Sequence, residues 1–125
     1  MVEEDYILKL VQELVRSLLK MVFGIDTDSP TSELLESEED REHFNKLVEM
    51  VEQGNITDAE SEVIEATEDM SNEGLLLALV FFHYLNEKSD RFLEDNGYDR
   101  VDLKESLRDI VTKYGYESMA MMFLQ

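Results

Sequence analysis

YILKLVQELVRSLLKMVF, residues 6–23, decides how the chain is read. At 100° per residue, Leu10, Met21, Leu14, Ile7, Leu18, Val11, Val22, Val15, Leu8 and Leu19 fall in one arc of about 180°. Lys9, Gln12, Glu13, Arg16 and Lys20 occupy the other side. The period is helical, and the arc is broader than a helix needs to pack on a single surface. This helix is therefore expected to meet two surfaces, one inside the fold and one offered to a partner. Gly24 stops it with a left-handed C′ residue, and Glu3, Glu4 and Asp5 suit the positive end of its dipole.

The same period recurs outward along the chain. LLLALVFFHYL, residues 75–85, is apolar nearly all round and reads as a central helix covered on several sides. Residues 38–53 carry the stripe Phe44, Leu47, Val48 and Val51, with Ser37 and Asp40 as a capping pair. Thr57, Asp58, Ala59 and Glu60 read as a capping box opening a third helix, with Ala59, Val63, Ala66 and Met70 inside. Residues 89–95 form a continuation or a short separate helix. Asn96 and Gly97 turn the chain, and Asp99 or Asp102 caps a helix burying Leu103, Leu107, Ile110, Val111 and Tyr114. Gly115 ends that helix, and ESMAMMFLQ closes the sequence as a methionine-rich helical tail. Strand alternation is nearly absent. The expectation is an all-α single domain of five to seven helices. It divides into an amphipathic helix (1–24), an acidic connector with Pro30 and an anchoring Leu34–Leu35 turn (25–37), and a helical hairpin core (38–125).

The chain has 125 residues, no cysteine and a net charge of −19. A disulfide framework, a thiolate metal site and a cysteine nucleophile are excluded. Residues 26–73 carry seventeen acids against Arg41 and Lys46. Such a field repels nucleic acid and anionic membrane surfaces and attracts basic partners or divalent cations. The opening MVEEDY places acids where a secretory signal needs bases, and no apolar run approaches the ~18 residues of a membrane span. A cytoplasmic location is expected.

No motif assembles chemistry. His43 follows Asp40 and His83 follows Val80 at a spacing of three, so the Glu-x-x-His pattern of a di-iron bundle fails twice. His83 is the one candidate polar site, read first as a core histidine, and His43 is read as a solvated helix residue. Asp26-Thr27-Asp28 and Asp95-Asn96-Gly97-Tyr98-Asp99 fail as calcium loops, because Thr31 and Arg100 stand where glycine is needed. Glu60, Glu62, Glu65, Glu68 and Asp69 read as a solvated face. No P-loop, G-x-G-x-x-G or nucleophile elbow occurs. No catalytic residue, cofactor or metal is expected.

Two resemblances add to this. Gly54 in a turn, followed by Ala59, Val63 and Ala66, resembles one tetratricopeptide hairpin. The next helix pair would open near Glu73, at about the 34-residue period of that repeat. Leu47 stands where the repeat has a small residue, so the resemblance implies antiparallel hairpin geometry and not an array. Over most of the chain, DYILKLVQELVRSLLKMVFG, LVEMVEQGNITDAE, YLNEKSDRFL and DLKESLRDIVTKYG resemble a family of small all-helical proteins of unknown function from Gram-positive bacteria. That resemblance implies a fold and supplies no catalytic residue.

The leading functional expectation is a non-enzymatic interaction or self-associating module. Its surface would be Ile7, Leu8, Val11, Leu14, Val15, Leu18, Leu19 and Val22, and its occupant a second copy or a protein partner. The alternative is an acidic, DNA-mimicking inhibitor of a basic partner. A weaker one is a ligand-binding bundle centred on His83. Neither nucleic acid nor membrane is an expected partner.

Overall fold

The structure, a computed structural model, describes residues 2–124. Among them are seven α-helices and no strand: α1 (Val2–Phe23), α2 (Glu38–Glu52), α3 (Ile56–Ala66), α4 (Asn72–Asn86), α5 (Asp90–Asp95), α6 (Arg100–Lys113) and α7 (Glu117–Phe123). A 3-10 turn, Ser32–Leu34, lies in the connector. The dipole partners expected of Glu3 and Glu4, and the last residue of the tail, Gln125, lie outside the described side chains.

The chain forms two compact units. One joins Met1–Asp28 to Asn86–Gln125, and the other is Ser29–Leu85. The N-terminal helix thus groups with the C-terminal helices, and the boundary between the units falls in the last turn of α4.

In the first unit α1 packs on α6 and α7, and α6 packs on α7. Gly24, at φ +68°, lets the chain leave α1 sharply, with the Ile25 N–H donating to the Leu19 carbonyl at 3.0 Å. This left-handed turn is cheap only for glycine. At the start of α6, Asp99 and Asp102 complete the capping box that the sequence allowed either to begin. Leu103, Leu107, Ile110 and Val111 are buried as expected, while Tyr114 is half-buried.

A buried cation holds this unit's connections. Arg100 donates to the Asn86 carbonyl (2.6 Å), the Asn86 Oδ1 (3.0 Å), the Lys88 carbonyl (2.8 Å) and the Asp90 carboxylate (2.8 Å). Asn86 in turn donates to the Leu8 carbonyl of α1 at 3.0 Å. A buried guanidinium is tolerated when its donors and its charge are both met, and here they are.

In the second unit α2 and α3 form a hairpin. Gly54, at φ +89°, and an Asn55 N–H bond to the Met50 carbonyl tighten its turn. Ile56, fully buried, begins α3 with Asn55 at the N-cap, so the capping box expected at Thr57 does not form. Thr57 lies inside the first turn, where its carbonyl accepts from Ser61. Ser37 caps α2 through the Asp40 N–H at 3.0 Å. Phe44, Leu47, Val51, Ala59 and Val63 are buried, and Val48 and Ala66 are half-buried. Met70 is exposed, contrary to its expected place in the core. Helix α3 ends at Ala66, and Met70 sits beyond it at φ +57°, off the helical stripe. In α4, Leu75, Leu77, Leu79, Val80, Phe81, Phe82 and Leu85 are all buried, as an all-round apolar helix requires. Leu35 is buried after the 3-10 turn, and the Arg41 guanidinium donates to its carbonyl.

Candidate functional site

The broad arc of α1 is mostly interior. Ile7, Val11, Leu14, Val15, Leu18 and Leu19 are buried, and Leu8 and Val22 are half-buried. The arc is not closed on all sides, however. Along one border Tyr6 is 60% exposed and Met21 55%, with Leu10 and Ser17 half-buried between them. These four lie within about 60° on the helix. On α7, which packs against α1, Met121 is 64% exposed and Met122 67%. Among the described residues, the large apolar side chains most open in this unit are thus those of one border of the predicted face and two methionines of the tail. Helical periodicity located the arc, but it carries no sign of which border the other helices leave open.

Flexible, polarisable methionine side chains adapt to varied partner shapes, which suits a contact surface better than a rigid pocket. Glu13 and Lys20 are exposed beside this border, and Arg16 reaches Asp26 at 3.5 Å.

In the second unit the polar groups are held by one another. His43 Nε2 lies 3.2 Å from Glu62 Oε1, and both side chains are about one-third exposed. Lys46, Glu65 and Ala66 complete an open groove of about 430 Å³ with them. His43 is thus a half-buried link from α2 to α3 where a solvated residue was expected. The link joins residues nineteen apart in sequence, so no local spacing announced it. Tyr84 packs edge-on against Phe44 with centroids 6.1 Å apart, and its hydroxyl donates to Glu52. Burial, reinforced by the Glu52 carboxylate, pushes its pKa above the usual tyrosine value. The Asp69 carboxyl is held below its usual range because it accepts from the Ser71 N–H and hydroxyl.

His83 is 5% exposed and is not without a partner. Among the described residues every fully buried side-chain nitrogen and oxygen has a hydrogen-bond partner. Also among them, no three His, Asp or Glu groups could hold a metal ion, and no helix is long and apolar enough to cross a membrane. The two rejected calcium loops have structural work: Asp99 caps α6, Asp95 lies 3.9 Å from Arg91, and Asp26 faces Arg16. Of the acids on and after α3, Glu65, Glu68 and Asp69 are exposed, while Glu60 and Glu62 are half-buried.

Comparison with curated proteins and with solved structures gives no match. The model of a family of unknown function, DUF6483, matches residues 1–115, nearly the whole chain and all of α1 to α6. The all-helical chain described here belongs to that family.

Proposed function

We propose that the chain is a non-enzymatic interaction module whose contact surface is the open border of α1 together with the methionines of α7. The observation that carries this reading is the exposure of Tyr6, Met21, Met121 and Met122, all in the unit built from α1, α6 and α7. Large apolar side chains left in water gain free energy when a partner covers them, at about 25 cal/mol per Å². We read the α2–α3 hairpin as tetratricopeptide-like, supported by the left-handed Gly54 and the buried Ala59. We read the setting as the cytoplasm of a Gram-positive bacterium. A photo-crosslinking residue placed at Met21 or Met122 in cells should form adducts that the same residue at Asn45, exposed on α2, does not form. Equal crosslinking at all three positions sinks the proposal.

A second reading follows from charge. The unit Ser29–Leu85 carries fifteen acids against Arg41 and Lys46, and Arg41 is already engaged on the Leu35 carbonyl. This surface suits a basic protein. Such binding should fade steeply as salt rises, and a salt-independent complex argues against it.

A further inference from the structure

The open border of α1 has the spacing of a helix–helix seam. Tyr6, Leu10, Glu13, Ser17 and Lys20 follow one another at intervals of four, three, four and three. That rhythm keeps the five side chains within about 80° on the helix, the spacing along which helices pair, with Tyr6 and Leu10 apolar and Glu13, Ser17 and Lys20 polar at its edge. Ser17 stands near the middle of the line, and its small side chain lets another helix come close. Glu13 lies before it and Lys20 after it, both exposed. Arg16, on the outer flank, is turned to Asp26 of its own chain.

The charges are therefore opposite in sign about Ser17. A two-fold axis beside Ser17 would cross two α1 helices antiparallel and bring each Glu13 toward the partner's Lys20. Symmetry makes that pair occur twice, and a two-fold contact joins one patch to itself. Leu10 and Met21 flank the charges and would be covered in the same contact. The border also belongs to the less acidic of the two units. Its unit carries fifteen acids and nine bases, a net of −6, against −13 for Ser29–Leu85.

We infer that this border of α1 is a self-association surface whose occupant is the same border of a second copy of the chain. The inference rests on the interaction-module reading and names its partner. One pair of crossing helices covers less than the roughly 1,600 Å² of a standard interface, so the dimer is weak and reversible.

Sedimentation equilibrium of the full chain up to about 1 mM tests it, with Glu13→Lys, Lys20→Glu and the double exchange. Both positions are exposed, and circular dichroism checks that each variant keeps its helices. The wild type should dimerise. Each single exchange turns two opposite-charge contacts into two like-charge ones and should weaken the dimer about tenfold. The double exchange should return it to within about threefold of the wild type. A monomer at every concentration overturns the inference, as does a dimer that the single exchanges leave unchanged or the double exchange fails to restore. If the wild type stays monomeric while a crosslinker at Met21 still captures another protein selectively, only the second-copy occupant falls. If both fail, the interaction-module reading falls with it.

Discussion

Arg100 Nη2 lies 2.8 Å from Asp90 Oδ1, and 1% of the arginine side chain is exposed against 30% of the aspartate. The pair joins the first residue of α6 to the first residue of α5. Because the cation is the buried partner, the two ends of the bond are not equivalent. Arg100→Met strips donors from the Asn86 and Lys88 carbonyls as well as from Asp90, and should cost about 3–5 kcal/mol. Asp90→Asn keeps the carbonyl contacts but removes the counter-charge of the buried cation, and should cost about 1.5–3 kcal/mol. Urea unfolding of both variants checks the order.

The interior and the open border of the α1 arc should respond differently to truncation. Leu14 and Leu18 are fully buried, so Leu14→Ala or Leu18→Ala removes packed atoms and leaves a cavity. Each should cost about 2–5 kcal/mol. Met21→Ala lies on the open border and should change monomer stability by less than about 0.5 kcal/mol. Equal losses at Leu14 and Met21, measured at low protein concentration, would show that Met21 belongs to the core.

Tyr84 gives a pH test with a fixed sign. Its hydroxyl stays protonated in the native state above the ordinary value of 10.0, because burial and Glu52 disfavour the phenolate. The unfolded chain releases that proton near 10.0, so it binds fewer protons than the native state at higher pH. Stability therefore falls as pH rises beyond that point. Tyr84→Phe should flatten this part of the stability–pH curve, and absorbance titration should show one fewer late-ionising tyrosine.

Met70 is held at φ +57° while its side chain is exposed. Left-handed backbone is costly for a residue with a Cβ and nearly free for glycine. Met70→Gly should therefore raise stability by about 0.5–1 kcal/mol, the reverse of what glycine does within a helix. Thermal unfolding of the variant measures the sign directly.

Helices are legible here because their signals are local. The stripe of α2, the all-round apolar α4 and the glycine stop after α1 all depend on residues within a few turns of each other. The misreadings share another cause. Thr57 has the chemistry of a cap, but the Gly54 turn is so tight that Ile56 is already helical. Met70 continues the apolar spacing of α3, but the helix has ended four residues earlier. Non-local links were invisible for the same reason. Arg100 reads as one base after a cap, and only the fold brings Asn86, Lys88 and Asp90 around it. The arc of α1 was legible as an arc, but which border stays open depends on where α6 and α7 lie.

Pairing α1 with α6 and α7 also sets an order of events during synthesis. Residues 24–99 must be made after α1 is complete and before α6 begins. At about 5–20 residues per second this takes on the order of 4–15 s. Through that interval Val11, Leu14, Val15, Leu18 and Leu19 lack α6 and α7, the helices on which α1 packs. Apolar surface left open in this way is prone to aggregate, so the nascent chain's need for protection should grow wherever translation of the middle segment slows.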